Sequence, residues 1–94
     1  MEITHLIWLD EVLEKIESKH QVSPAEVEEA LSSRAKFRRM RRGRFRGEDV
    51  YRALGKTAGG RYLTVFFIHK LTGQTLILSA RDMDGKERRG YGSK

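Results

Sequence analysis

The sequence contains no cysteine, which excludes a disulfide framework and any cysteine-ligated metal site and fits a reducing cytoplasm. It lacks a long apolar run: the longest, Leu63 to Ile68, is broken by Thr64. Spanning a bilayer takes about 20 apolar residues, so no membrane partner is expected. No basic segment leads into an apolar stretch near the N-terminus, so no signal peptide is read and the expected location is cytoplasmic. Histidines are few and far apart (His5, His20, His69), so a metal centre would have to recruit carboxylates from across the fold, and none is expected. There is no P-loop, no glycine-rich dinucleotide fingerprint and no His-Glu-x-x-His pair. No cofactor is expected.

What is present is charge, and it is segregated. The chain of 94 residues has room for one domain, residues 1–94, with one modest core. Residues 1–33 carry a net charge of −6, residues 34–46 carry +8 with no acid at all, and residues 47–94 carry +4. A basic majority of this kind attracts phosphate through counterion release and electrostatic steering. Arg38, Arg39, Arg41, Arg42, Arg44 and Arg46 are the candidate RNA-binding residues. The competing readings are a solvated basic strand and loop, or a surface that an acidic partner covers.

Periodicity gives the element order. Ile3, Leu6, Ile7 and Trp8 suggest a short edge strand. Val12, Leu13 and Ile16 recur at helical spacing from Asp10 to about His20. Ser23-Pro24-Ala25-Glu26 is a capping box with proline at the first helical position, and Val22 with Val27 can staple the start. This second helix is expected to end at Ser32 or Ser33. Two helices so close in sequence predict a helical hairpin. Strands follow: an irregular one within residues 34–46, then residues 49–57, 61–69 and 75–81, with turns at Ala58-Gly59-Gly60 and Thr72-Gly73. Residues 61–69 are apolar on both faces, which marks a central strand covered on both sides. Asp84 and Glu87 form a second capping box before a polar C-terminal helix. The expected class is α+β: a helical hairpin packed on a small antiparallel sheet, with a short C-terminal helix.

The residue types present suit phosphodiester chemistry without metal. A base must take the 2′-hydroxyl proton, fixed cations must stabilise the phosphorane, and an acid must protonate the leaving oxygen. Lys19, His20, Arg61, Arg81, Glu87, Arg88 and Tyr91 supply these types. Each also has a structural reading. His20 can serve a helix end, Arg81 can pair with Asp82, Glu87 can cap, and Tyr91 can pack the last helix. Trp8, Phe66 and Phe67 read as core.

Several stretches together resemble the BrnT family of toxins. Lys19-His20-Gln21-Val22-Ser23 resembles its Lys-His-Gly-Val-Ser element, with Gln21 in place of glycine. Gly60-Arg61-Tyr62-Leu63-Thr64-Val65-Phe66 resembles its Gly-Arg-x-Leu-x-Val-Val strand. Ser79-Ala80-Arg81 and Glu87-Arg88-Arg89-Gly90-Tyr91 resemble its Ser-Ala-Arg and Glu-Arg-x-x-Tyr ending. The matches cover nearly the whole chain in order. The resemblance implies a RelE-like fold and a type II toxin that cleaves RNA and inhibits translation. It implies a BrnA-like antitoxin as partner, in a dimer or a toxin–antitoxin hetero-oligomer. Its site positions correspond to the same seven residues. The alternatives are a non-catalytic RNA-binding module and a degenerate toxin acting only through protein contacts.

Overall fold

The capping box at Ser23 forms as the sequence predicts. In the computed structural model, which describes residues 1–32 and 34–92, the Glu26 N–H donates to Ser23 Oγ at 3.2 Å and the Ser23 N–H donates to Glu26 Oε1 at 3.0 Å. It opens helix α2 (Pro24–Ser32), which follows strand β1 (His5–Ile7) and helix α1 (Asp10–His20). The alternative end at Ser33 lies outside the described residues. Then come β2 (Lys36–Arg41), β3 (Val50–Lys56), β4 (Tyr62–His69), β5 (Gln74–Asp82) and α3 (Gly85–Gly92). α3 opens on the second box, with the Glu87 N–H on Asp84 Oδ1 at 2.7 Å and the Asp84 N–H on Glu87 Oε1 at 2.9 Å.

Between α1 and α2, Gln21 adopts φ 51°, the left-handed conformation that favours glycine. Its N–H donates to the Glu17 carbonyl at 3.1 Å, and the Val22 N–H donates to Ile16 at 3.0 Å. Gln21 therefore makes a turn of the kind glycine favours, at some conformational cost.

The strand order is β1-β5-β4-β3-β2. β2 to β5 form the expected antiparallel meander, but β1 joins β5 in parallel, with His5 beside Gln74 and Ile7 beside Leu76. The sheet is therefore mixed, not antiparallel throughout. The short connections between β2 and β5 could only show hairpins, whereas β1 reaches its neighbour after the chain has passed through both helices and the meander.

α1 rests on β5 and α2 on β3 and β4, each touching the sheet more than the other helix. Val12 and Ile16 from α1, with Val27, Ala30 and Leu31 from α2, enclose the core with Leu63, Val65, Phe67, Ile77 and Ala80. At Gly55, β3 passes directly under the Ala30 carbonyl, and any β-carbon would overlap it.

β4 is central, as expected, but its two faces differ. Leu63, Val65 and Phe67 face the helices and are fully buried. Tyr62, Thr64, Phe66 and Ile68 alternate onto the other face. α3 covers only one end of that face: Tyr91 meets Tyr62 edge-on at 5.9 Å, and Glu87 accepts from the Thr64 hydroxyl at 2.9 Å. Phe66 and Ile68 stay half-buried, so the sheet has a partly open face.

Candidate nucleic-acid interface

Residues paired across antiparallel strands share a face. Register therefore lays out the open face as rungs: Lys36–Leu54–Thr64–Arg81 beneath α3, then Arg38–Arg52–Phe66–Ser79, then Arg41–Val50–Ile68–Leu76. Arg38 stands directly opposite Arg52. Like charges in that position destabilise a sheet, and among the described residues neither arginine forms an ion pair. Arg52 Nε is buried without a hydrogen-bond partner. An unpaired cationic rung beside an aromatic ring is complementary to a polyanion.

At the α3 end sits a closely bonded polar cluster. Arg81 donates to both Glu87 oxygens, Nη1 to Oε1 at 2.7 Å and Nη2 to Oε2 at 3.0 Å. Burial pushes the Glu87 carboxyl up, but the Arg81 fork, the Asp84 N–H and the Thr64 hydroxyl outweigh it and hold the group down to about 2. The Glu87 bond in turn raises the Arg81 guanidinium. The Arg81 side chain keeps 33% exposure, and its guanidinium lies 5.5 Å from the Phe66 ring centroid. Arg88 lies over Tyr62 at 3.7 Å, and Tyr62 meets Tyr91. Arg81, Glu87, Arg88 and Tyr91 are thus gathered on one face. Phe67 is core, but Phe66 belongs to the open face.

Lys19, His20 and Arg61 lie on the helix side of the same sheet end. Arg61 Nε and Nη2 clamp Asp82 at 2.7 and 3.1 Å. Nη2 also donates to the His20 carbonyl and Nη1 to the Gln21 carbonyl, both at 2.7 Å, and Nη1 reaches Glu26 at 3.3 Å. The bonds to Asp82 raise Arg61 and lower Asp82. The Ser23 N–H, with help from Arg61, lowers Glu26. Arg61 is therefore a clasp joining the α1–α2 turn to β4 and β5, with its donors occupied. Arg61→Gln should cost roughly 1–3 kcal/mol in chemical denaturation by leaving carbonyls and carboxylates short of donors.

The pairing of Arg81 differs from one sequence expectation. Its carboxylate is Glu87, not Asp82, because neighbouring strand residues point to opposite faces.

The arginine run is divided by the fold. Arg38 and Arg41 belong to open-face rungs. Arg39 points to the other side and meets Asp49 at 3.4 Å. Arg42, Arg44 and Arg46 surround a cleft at the far end of the sheet. Arg52 and Thr64 escaped the sequence reading; the signal that could have found them is register, which needs the strand partners. Among the described residues, no cluster of histidine and carboxylate side chains could hold a metal ion, and no helix is long and apolar enough to cross a membrane. No protein-family model matches the sequence, and no curated protein matches it either.

Proposed function

We propose that the protein binds RNA across the open sheet face and cleaves it without metal at the Arg81 end, as the toxin of a type II pair restrained by a BrnA-like antitoxin. The observation that supports this reading best is the unpaired Arg38–Arg52 pair on the rung whose Phe66 ring lies 5.5 Å from the Arg81 guanidinium. Arginine's planar fork suits a phosphorane's equatorial oxygens. In this reading Arg81 stabilises the charge that develops as the 2′-oxygen attacks phosphorus and the 5′-oxygen departs. Glu87, held to about 2, is too weak a base near neutrality, so it acts by positioning Arg81. Tyr91, on the same face, donates the proton that the departing 5′-oxygen takes up, water accepts the proton released by the 2′-hydroxyl, and Arg88 adds a second cation.

A second reading, RNA binding without cleavage, is favoured by one observation: Arg61 and Glu87 are both spent on internal bonds. The two readings part in an RNA cleavage assay with EDTA. The toxin reading expects undiminished cleavage in the chelator and about a hundredfold loss in Arg81→Lys, which keeps the charge but not the fork. Intact RNA after long incubation, with binding still steeply salt-dependent, would leave only the second reading. Full activity in a folded Arg81→Lys would remove Arg81 from the chemistry.

A further inference from the structure

We propose that the cleft between the β2–β3 loop and the β4–β5 turn is a separate site that takes a nucleotide, phosphate and base together. Its volume is about 650 Å³, within the roughly 300–1,000 Å³ range of small-molecule sites. Tyr51 and His69 line it, and both project from the helix side of the sheet, opposite Arg81. It is therefore not an extension of the Arg38–Arg52 rung.

The loop that forms it is built, not merely exposed. The Gly43 N–H donates to Asp49 Oδ1 at 2.7 Å, and the Glu48 N–H closes a turn on the Phe45 carbonyl at 3.3 Å. A β-carbon at Gly43 would overlap the Glu48 backbone. Gly47, at φ 79°, packs against the Leu71 side chain. These contacts hold Arg42, Arg44 and Arg46 around one hollow together with Lys70.

The chemistry of the walls selects the ligand. Asp49 is the lone carboxylate lining the cleft, and it is engaged by Gly43 and Arg39. The four cations form no ion pair among the described residues. His69 Nε2 is buried without a hydrogen-bond partner. Guanidinium groups in such a setting match phosphate. A bare anion would not explain the rest of the wall. Phe45 stands 68% exposed and Leu71 73% exposed beside the cations, while Tyr51 is braced by stacking on Phe67 at 5.8 Å. An aromatic and apolar wall beside unpaired cations fits a base attached to its phosphate. The nucleotide can be free, or one unit of an RNA strand passing the β2 edge.

The test is a titration of the isotope-labelled full chain by nuclear magnetic resonance. The probes are adenosine monophosphate, inorganic phosphate and a short single-stranded oligoribonucleotide. The expected result is that adenosine monophosphate shifts the amides of Gly43, Gly47 and Leu71 and binds about tenfold more tightly than inorganic phosphate, the difference coming from stacking. Phe45→Ala should abolish that preference while phosphate still binds. Arg44→Gln with Arg46→Gln should weaken both. Saturation by the mononucleotide identifies a free-nucleotide site; saturation by the oligoribonucleotide alone identifies an RNA subsite. No shift at these amides with any probe, or shifts unchanged in the double arginine variant, would overturn the proposal. So would a response to a glutamate-rich peptide in place of the nucleotides. The open face is read separately at the Arg52 and Phe66 amides. Shifts there without shifts at Gly43 leave RNA binding standing and sink the cleft; the converse sinks only the open face.

Discussion

Replacing Glu87 with alanine should lower the unfolding free energy by about 3–5 kcal/mol, because it strands the partly buried Arg81 guanidinium. The residue is 8% exposed and serves three donors at once: Arg81, Thr64 and the Asp84 N–H. Its loss removes the side-chain half of the α3 capping box, leaving the Asp84 half in place, and the central tie between that helix and the sheet. A domain of this size holds only about 5–15 kcal/mol in all, so the melting temperature should fall by roughly 20 °C. Circular dichroism during heating and urea unfolding measure both quantities. A loss below about 1 kcal/mol would show that the cluster contributes little to stability.

The same residue gives an acid signature. The folded carboxyl is held at about 2, below its ordinary 4.5. A depressed folded value means that the stabilisation is complete above pH 4.5 and is lost as pH falls through 2. The drop should be about 2–3 kcal/mol, less than the full shift because Arg81 is partly exposed. Glu26 and Asp82 are lowered too and fade in the same direction. The difference between the wild type and Glu87→Gln therefore isolates the contribution of this one group.

The second large effect is expected at Gly55. Gly55→Ala should cost about 3 kcal/mol, at the top of the range for overpacking. The atom in the way is the Ala30 main-chain carbonyl, with its carbon and α-carbon close behind. A side chain can rotate aside, but a helix backbone cannot. α2 must lift as a unit, loosening Val27, Ala30 and Leu31 from the core. Gly90→Ala is the contrast: the added β-carbon has open space within 4 Å, the position lies in α3, and the change should gain about 0.5–1 kcal/mol from helix propensity. Equal effects of the two substitutions in urea unfolding would contradict this packing argument.

Much of the fold was legible where the information is local. Both capping boxes are bonds between residues three apart, so Ser23–Glu26 and Asp84–Glu87 could be read directly. The meander strands carried their turns with them. β1 was legible as a strand but not as a parallel partner of β5, since nothing in His5–Ile7 points to Gln74–Leu76. The site divides in the same way. Arg81, Glu87, Arg88 and Tyr91 come from one short stretch and lie on one face, whereas Lys19, His20 and Arg61, grouped with them on the sequence, lie on the helix side. Arg61 takes its partners from α1, the α1–α2 turn, α2 and β5. Its role as a clasp needed the tertiary structure. The choice of Glu87 over Asp82 as partner of Arg81 was within reach, since strand alternation alone sends Arg81 and Asp82 to opposite sides.

The position of β2 at the rim of the sheet bears on colloidal behaviour. An edge strand offers unpaired amides and carbonyls to any other strand, including the same strand of another copy. Here that rim carries Lys36, Arg38, Arg39 and Arg41, and all but Phe37 of its residues are exposed. Two such rims repel each other before their backbones can meet. The same cations that make this rim attractive to a polyanion therefore oppose strand-to-strand pairing along it. Masking these charges, by salt or by a bound anion, would also remove the barrier to self-association.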